Sequence, residues 1–327
     1  MYIPNCCVKA CLLCIFNIYM NMMKNQDVIV SIICVTYNHE PYIRQCLEGF
    51  VMQNTDFAIE VLIHDDASTD KTADIFREYE AKYPDLIKPI NQIENQYSKG
   101  VKINAIYNYP RAKGKYIAFC EGDDYWIDPL KLQKQVDFLE ANPEYSMCFH
   151  RSNILNELEI NLVINPEVIE DKDYSANELF ENWIVPTASI VYRSSIYTPM
   201  DKYINPGRIL NGDIILVLNC ASRGKIRGSS DTMSVYRMHS GGVTYDTRIS
   251  KNRTMKYPDH YLFIKDNFPM VSKCVVNKAI AGAYMSRTLV RDRMIDKMKD
   301  LFTALYYHPF HFVMRTFNYF MKHVVRQ

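Results

Sequence analysis

The run Val28-Ile29-Val30-Ser31-Ile32-Ile33-Cys34-Val35 constrains the fold more than any other segment of the chain. It is almost wholly apolar and rich in β-branched residues, as a strand buried on both faces should be, and such strands belong to parallel sheets covered by helices. A polar turn follows, Thr36-Tyr37-Asn38-His39-Glu40-Pro41, and then Ile43, Leu47, Phe50 and Val51 recur at helical spacing. The unit repeats. Ile59–Ile63 reads as a second strand that ends in His64-Asp65-Asp66-Ala67-Ser68-Thr69-Asp70, and the next helix carries Ile75, Phe76 and Tyr79. Ile87–Ile90 reads as a short third strand, although Pro89 demotes it. A helix over Val101–Tyr109 leads to a strand at Lys115–Cys120, closed by Glu121-Gly122-Asp123-Asp124-Tyr125-Trp126, and a further helix has Leu132, Val136 and Leu139 on one face. Strand–helix alternation with short connections implies an α/β fold with a mostly parallel sheet flanked by helices. Ligands in open sheets of this kind bind at the carboxyl ends of the strands, which is where the polar clusters fall.

Beyond residue 150 the alternation weakens to a strand at Ala188–Tyr192, a helix near Asp213–Ala221 and a helical C-terminal stretch that Pro309 divides. The expected organisation is a non-core segment at 1–26, a ligand-binding half at 27–150, a second half at 151–245 and a helical extension at 246–327. With 38 Lys+Arg against 37 Asp+Glu the net charge is +1, which argues against a nucleic-acid partner held on a broad basic face. No apolar run approaches the roughly 18 residues of a membrane-spanning helix.

Four of the ten cysteines, Cys6, Cys7, Cys11 and Cys14, crowd the N-terminus, and the rest are scattered, several within apolar runs. Buried, reduced thiols account for the scattered six. The N-terminal four have no second ligand pair at zinc-finger spacing. Ala10–Met23 is apolar but interrupted by Asn17 and Asn21, and Met22 and Met23 directly precede the first regular element. The segment therefore reads as upstream sequence, or alternatively as a short leader or anchor.

Asp123-Asp124 is the most informative pair. Adjacent carboxylates at a strand end repel unless a cation or hydrogen-bond donors compensate them. A hard divalent cation, Mg²⁺ or Mn²⁺, does this while bridging to a substrate diphosphate. The bland reading is that one of the two caps the helix near Asp128. Asp65-Asp66 repeats the arrangement one strand earlier, either as turn chemistry or as acceptors for a base N–H or a ribose hydroxyl. Tyr37 can stack on a base or simply pack.

Taken together, Val30–Glu40, Glu60–Asp70 and Gly114–Trp126 resemble, in order, spacing and strand context, the family 2 glycosyltransferases, enzymes of the nucleotide-sugar-binding GT-A fold. The likeness is strong over residues 28–150 and looser to about 245. It implies that Thr36, Tyr37 and Glu40 hold the nucleotide, that Asp66 reads the base beside Asp65, and that Asp123 faces the ribose. Asp124 matches the ligand of a Mg²⁺ or Mn²⁺ ion. This chain has Ala67 where the family often has Gly. In Asn211-Gly212-Asp213-Ile214, Asp213 is similar to the family's general base, with Gly212 in place of a preceding acid; read locally, it is a helix cap. His239, in Arg237-Met238-His239-Ser240-Gly241-Gly242, resembles a late histidine that approaches the metal or diphosphate. Arg237 is either a diphosphate partner or a surface residue, and Trp183 and Pro186–Ala188 are expected to line the acceptor cleft.

The implied activity is inverting transfer from a nucleoside-diphosphate sugar, a UDP-sugar before others, to a glycan or lipid-linked acceptor in surface-polysaccharide assembly. The implied location is cytoplasmic, with the aromatic and basic C-terminal helices meeting the inner face of the membrane or packing on the protein. Two other readings compete with it. A nucleotidyltransferase would need a Gly-rich basic loop after the first strand, which Thr36–Glu40 is not. An inactive GT-A-like scaffold is opposed by both Asp pairs and Asp213.

Overall fold

The computed structural model describes residues 27–158, 161–164, 169–199, 202–203, 205–242 and 247–324. The metal and leader readings of the N-terminal segment fall on residues 1–26, outside the described residues. The chain forms two compact units that meet in sequence between Asp137 and Phe138.

The first unit alternates β1 (Val28–Thr36), α1 (Ile43–Val51), β2 (Ala58–Asp65), α2 (Thr72–Lys82), β3 (Ile87–Asn91), β4 (Tyr116–Phe119), the two-residue β5 (Tyr125–Trp126) and the start of α3 (Lys131–Ala141). Its sheet has the order β3-β2-β1-β4, and each neighbouring pair is parallel. β1 and β2 leave the sheet level with each other, Thr36 opposite Asp65. The chain steps outward from β1 to β3 and then returns to the other side of β1 for β4. The carboxyl ends of β1 and β4 thus form a topological switch point, where open α/β sheets leave a crevice. Pro89 sits in β3, which pairs only with β2 among the described residues, so its missing N–H falls on an edge. The core fills as the helical and strand periodicities require: Val30, Ile32, Cys34, Leu47, Phe50, Phe76, Leu132 and Leu139 are all buried.

Two residues tie the amino ends of these strands. Glu60, buried on β2, accepts from Ser31 Oγ at 2.7 Å, Lys113 N at 2.8 Å and Lys88 Nζ at 3.0 Å. Burial pushes its carboxyl up, and the three donors outweigh burial and hold it below its ordinary value. Gly114 passes so close to β1 that a Cβ would lie 2.4 Å from Ser31 N, a position open only to glycine. The segment at 101–109 is not the α-helix its sequence suggests. It is a π-turn over Asn104–Asn108 followed by a 3₁₀ turn at Tyr109–Arg111. Pro110 has no N–H to donate, and Arg111 carries its guanidinium away to the carbonyls of Ile63 and Lys88, both at 2.7 Å.

The second unit contains β6 (Tyr145–Asn156), β7 (Asn161–Ile164), α4 (Ala176–Asn182), β8 (Val191–Arg193), α5 (Gly212–Ala221), β9 (Lys225–Met238), α6 (Thr247–Asn267), α7 (Lys273–Thr288), α8 (Met294–Tyr307) and α9 (Pro309–Val324). β6 pairs with β9 in parallel and with β7 and β8 antiparallel. The expected strand at Ala188–Tyr192 is shorter and later, because Ser189 N and Oγ both bond to the Pro186 carbonyl and make Thr187–Ser189 a 3₁₀ turn. α5, α6 and α7 share a core of Ile214, Ile215, Leu218, Phe263, Phe268 and Ile280. Among the described residues no helix is long and apolar enough to cross a membrane.

Candidate active site

The first unit gathers the sequence-identified residues Thr36, Tyr37, Glu40, Asp65, Asp66, Asp123 and Asp124 at the carboxyl ends of β1, β2 and β4. The loops after β1 and β2 are laced together. Asn38 takes a left-handed conformation (φ 55°), its N–H donates to Ser68 Oγ at 2.8 Å, and its Oδ1 accepts from Thr69 N at 2.8 Å. Glu40 Oε2 accepts from Lys71 N at 3.1 Å, and Asp70 accepts from the backbone N–H groups of Glu40 and Thr72, both at 3.0 Å. Asp70 thus supplies the anion at the start of α2. Between these fastenings Tyr37 is 45% exposed, its ring open to a planar ligand. Thr36 is buried, and its Oγ1 has no hydrogen-bond partner among the described residues.

The two acids after β2 do different things. Asp65 closes the turn by accepting from the Ser68 hydroxyl and from Ser68 N, and burial pushes its pKa up. Asp66 reaches across to the loop after β3, one oxygen accepting from Gln96 N at 2.7 Å and the other from Tyr97 N at 2.9 Å. Behind it lies the fully buried His64, with Nε2 3.7 Å from Asp66 Oδ1 and its ring 4.7 Å from that of Tyr107. Burial lowers the His64 pKa, with Asp66 opposing, so the imidazole favours its neutral form. Ala67 adopts φ 64°, the left-handed region in which glycine is unstrained. That is the physical reason for glycine at this place in the family.

The turn after β4 approaches β1 closely. Gly122 N donates to Val35 O at 3.1 Å, and a Cβ on Gly122 would stand 2.8 Å from Thr36 Cβ and Oγ1 and 2.9 Å from His39 Nδ1. This contact turns Asp123 toward His39, whose Nε2 is 3.8 Å from Asp123 Oδ2, while Asp124 is buried. Asp128 forms a turn just before α3: its Oδ1 accepts from Leu130 N at 2.8 Å and its Oδ2 from Lys134 Nζ at 2.8 Å. His39 carried no signal in the sequence beyond its place beside Asn38.

Asp123 and His39, 3.8 Å apart, offer a carboxylate oxygen and an imidazole nitrogen, donors that suit Mn²⁺, or Mg²⁺ through the oxygen. A thiolate site is disfavoured here, since burial pushes the neighbouring Cys120 thiol up to about 11.

In the second unit Asp213 stands in the first turn of α5, half-buried, with Oδ1 accepting from Ile214 N at 2.9 Å. Burial raises its pKa, the Ile214 N–H and the Arg253 charge opposing, so the carboxylate is a stronger base than an exposed aspartate. Asn211 occupies the cap position, its side-chain oxygen held by Arg253 at 2.6 Å. His239 is buried just after β9, and Gly242 N turns back to the His239 carbonyl at 3.1 Å so that two glycines fold over the ring. Arg237 is buried and ion-paired with Glu157. Trp183 ends α4 in a left-handed conformation, φ 36°, partly exposed.

Residues 31–198 match the model of glycosyl transferase family 2. Over 231 residues the chain is 38% identical to an uncharacterized Mycobacterium tuberculosis protein, Rv1520; the match covers 71% of this chain and 65% of that relative, so this chain accounts for only about two thirds of it. It is 32% identical over 223 residues, 66% of this chain and 80% of the relative, to the Escherichia coli UDP-Glc:alpha-D-GlcNAc-diphosphoundecaprenol beta-1,3-glucosyltransferase WfaP. The chain belongs to glycosyltransferase family 2. Two solved structures share its GT-A fold at 17% identity: S. aureus TarS 1-349 in complex with UDP-GlcNAc, with a TM-score of 0.63 over 86% of this chain and 81% of that one, and the Pyrobaculum calidifontis mannosyltransferase PcManGT in complex with GDP-Man and Mn²⁺, with 0.54 over 90% and 82%.

Proposed function

We propose that the protein is an inverting, metal-dependent glycosyltransferase that moves a sugar from a nucleoside-diphosphate sugar, a UDP-sugar before others, to an acceptor hydroxyl in surface-polysaccharide assembly. One observation carries this reading: Tyr37, the Asp65-Asp66 pair and the Asp123-Asp124 pair stand at the carboxyl ends of β1, β2 and β4, around the β1/β4 switch point. The UDP-GlcNAc of TarS and the lipid-diphosphate acceptor in the name of WfaP support the donor and acceptor classes. The proposed domain roles are donor binding by 27–150, acceptor binding by 151–245 and membrane contact by 246–327.

In this reading Tyr37 stacks on the base, Thr36 and Asp123 face the nucleoside, and Asp66 shapes the base pocket by holding the backbone of Gln96 and Tyr97. Asp124 and Asp123, with His239 and His39 as further donors, would hold Mg²⁺ or Mn²⁺, which when bound offsets the charge of the leaving diphosphate. The Asp213 carboxylate takes the proton of the acceptor hydroxyl. The freed oxygen attacks the anomeric carbon from the face opposite the nucleotide, and the bond from that carbon to the diphosphate oxygen breaks with inversion.

Membrane contact rests on α8, which buries Asp300 and Ala304 and turns Met294, Ile295, Met298, Phe302, Leu305 and Tyr306 outward, with Phe302 65% and Tyr306 81% exposed. Arg287 and Arg291 hold Asp300 in the buried ion pair. Lys297 and Lys299 add positive charge to the same helix, as an anionic bilayer surface requires.

The test is calorimetric titration with UDP, GDP and dTDP, each with and without Mn²⁺. Metal-dependent micromolar binding of UDP, lost in Asp124→Ala, is the expected result. A folded protein that binds none of the three would favour an inactive scaffold.

A further inference from the structure

Lys131 lies where a lysine rarely does. It opens α3 on the face that also carries Leu132, Gln135, Val136 and Leu139, and its side chain is 0% exposed. Its ammonium stands 4.1 Å from the centre of the Trp126 ring and donates to Gln135 Oε1 at 2.8 Å. A ring face and an amide oxygen supply only partial negative charge. A desolvated ammonium is retained in a core where a carboxylate compensates it.

Three aspartates stand within a few residues of Trp126. Asp128 accepts from Leu130 N and Lys134 Nζ, and Asp123 faces His39. Asp124, two residues before Trp126, is 2% exposed, and a carboxylate at that depth stays ionised where a cation stands beside it. The thiol of Cys120, the residue after β4, feels both: burial raises it first, Asp124 raises it further and Lys131 opposes.

We propose that Lys131 forms a buried ion pair with Asp124 and is a positioning residue for the donor site. It cancels part of the repulsion between the paired aspartates and fixes the orientation in which the Asp124 carboxylate meets a divalent cation. The ion pair stands on the geometry of the first unit alone, and its effect on the cation rests on the function proposed above.

Two measurements separate these. In metal-free protein, thermal unfolding of Lys131→Met, Asp124→Asn and the double variant forms a double-mutant cycle. Each single change is expected to lower Tm by several degrees, because it leaves the other charge or dipole buried and uncompensated. The double variant is expected to be no less stable than the worse single. If Lys131→Met does not fold, recovery of folding in the double variant supports the pair. Additive losses, or a double variant that also fails to fold, overturn it.

Mn²⁺ uptake is then followed by electron paramagnetic resonance with UDP present. Lys131→Met is expected to weaken Mn²⁺ about ten-fold or more, as loss of a residue that orients a metal ligand does. Val136→Ala, a cavity on the same helix, is expected to lower Tm and leave Mn²⁺ affinity unchanged. Wild-type affinity in Lys131→Met, or an equal loss in Val136→Ala, overturns the positioning role. A wild-type protein that takes up no Mn²⁺ with UDP overturns the donor-site reading and the positioning role together, while the cycle still decides the ion pair.

Discussion

Asp213→Asn removes one proton-accepting site and almost nothing else. The substitution keeps the volume of the side chain, and an asparagine Oδ1 still accepts from the Ile214 N–H that Asp213 holds at 2.9 Å. If Asp213 is the base, kcat should fall by about 10²–10⁴, which at 1.36 kcal/mol per decade is about 2.7–5.4 kcal/mol of barrier. Stability should move the other way. Burial raises the folded-state pKa of Asp213 above the ordinary 3.8, so the folded protein favours the neutral carboxyl. Wild-type stability therefore falls as pH rises through the carboxyl range, and above it the wild type carries a penalty that asparagine lacks. Asp213→Asn should unfold at an equal or higher temperature at pH 7–8, the difference closing as pH drops toward 3.8. The helix dipole, worth about 0.3–1 kcal/mol to an acid in the first turn, works against this gain. The assay is nucleotide release from the sugar donor with whichever glycan or lipid-linked acceptor supports turnover, beside calorimetric UDP binding and thermal melts across pH. Transfer within ten-fold of wild type would refute the base role. A Tm several degrees lower at neutral pH would refute the energetic reasoning, and loss of UDP binding in a folded variant would move Asp213 to the donor side.

Three further outcomes are expected. Ala67→Gly should stabilise the protein by about 0.5–1 kcal/mol in chemical denaturation, because relief of the left-handed strain at φ 64° exceeds the entropy glycine returns to the unfolded chain. Gly122→Ala should cost about 1–3 kcal/mol and weaken UDP binding, since its Cβ would press on Thr36 and displace the turn bearing Asp123 and Asp124. The full chain should sediment with phosphatidylglycerol vesicles and less with phosphatidylcholine vesicles, and Phe302→Glu, at a position already 65% exposed, should abolish this without lowering Tm.

The parallel strand–helix frame, the strand ends on which the acids fall and the start of α5 within one residue of Asp213 are legible in the sequence. These follow from alternation, β-branching and turn chemistry, which act over a few residues. Tertiary structure decided what each acid does. Asp65 and Asp66 are neighbours of the same type, yet one closes its own turn and the other holds backbone N–H groups about 30 residues away. Glu40 could be placed beside Lys71 only once the loops after β1 and β2 were laced together. Lys131 gave a faint signal, a lysine at the apolar spacing of Leu132, Val136 and Leu139, but its burial depends on Trp126 packing over it. α8 inverts the usual rule by burying Asp300 against Arg287 and Arg291 and leaving its aromatic face outside. Desolvation and charge pairing depend on which distant segments return to the same place, and local periodicity carries no information about that return.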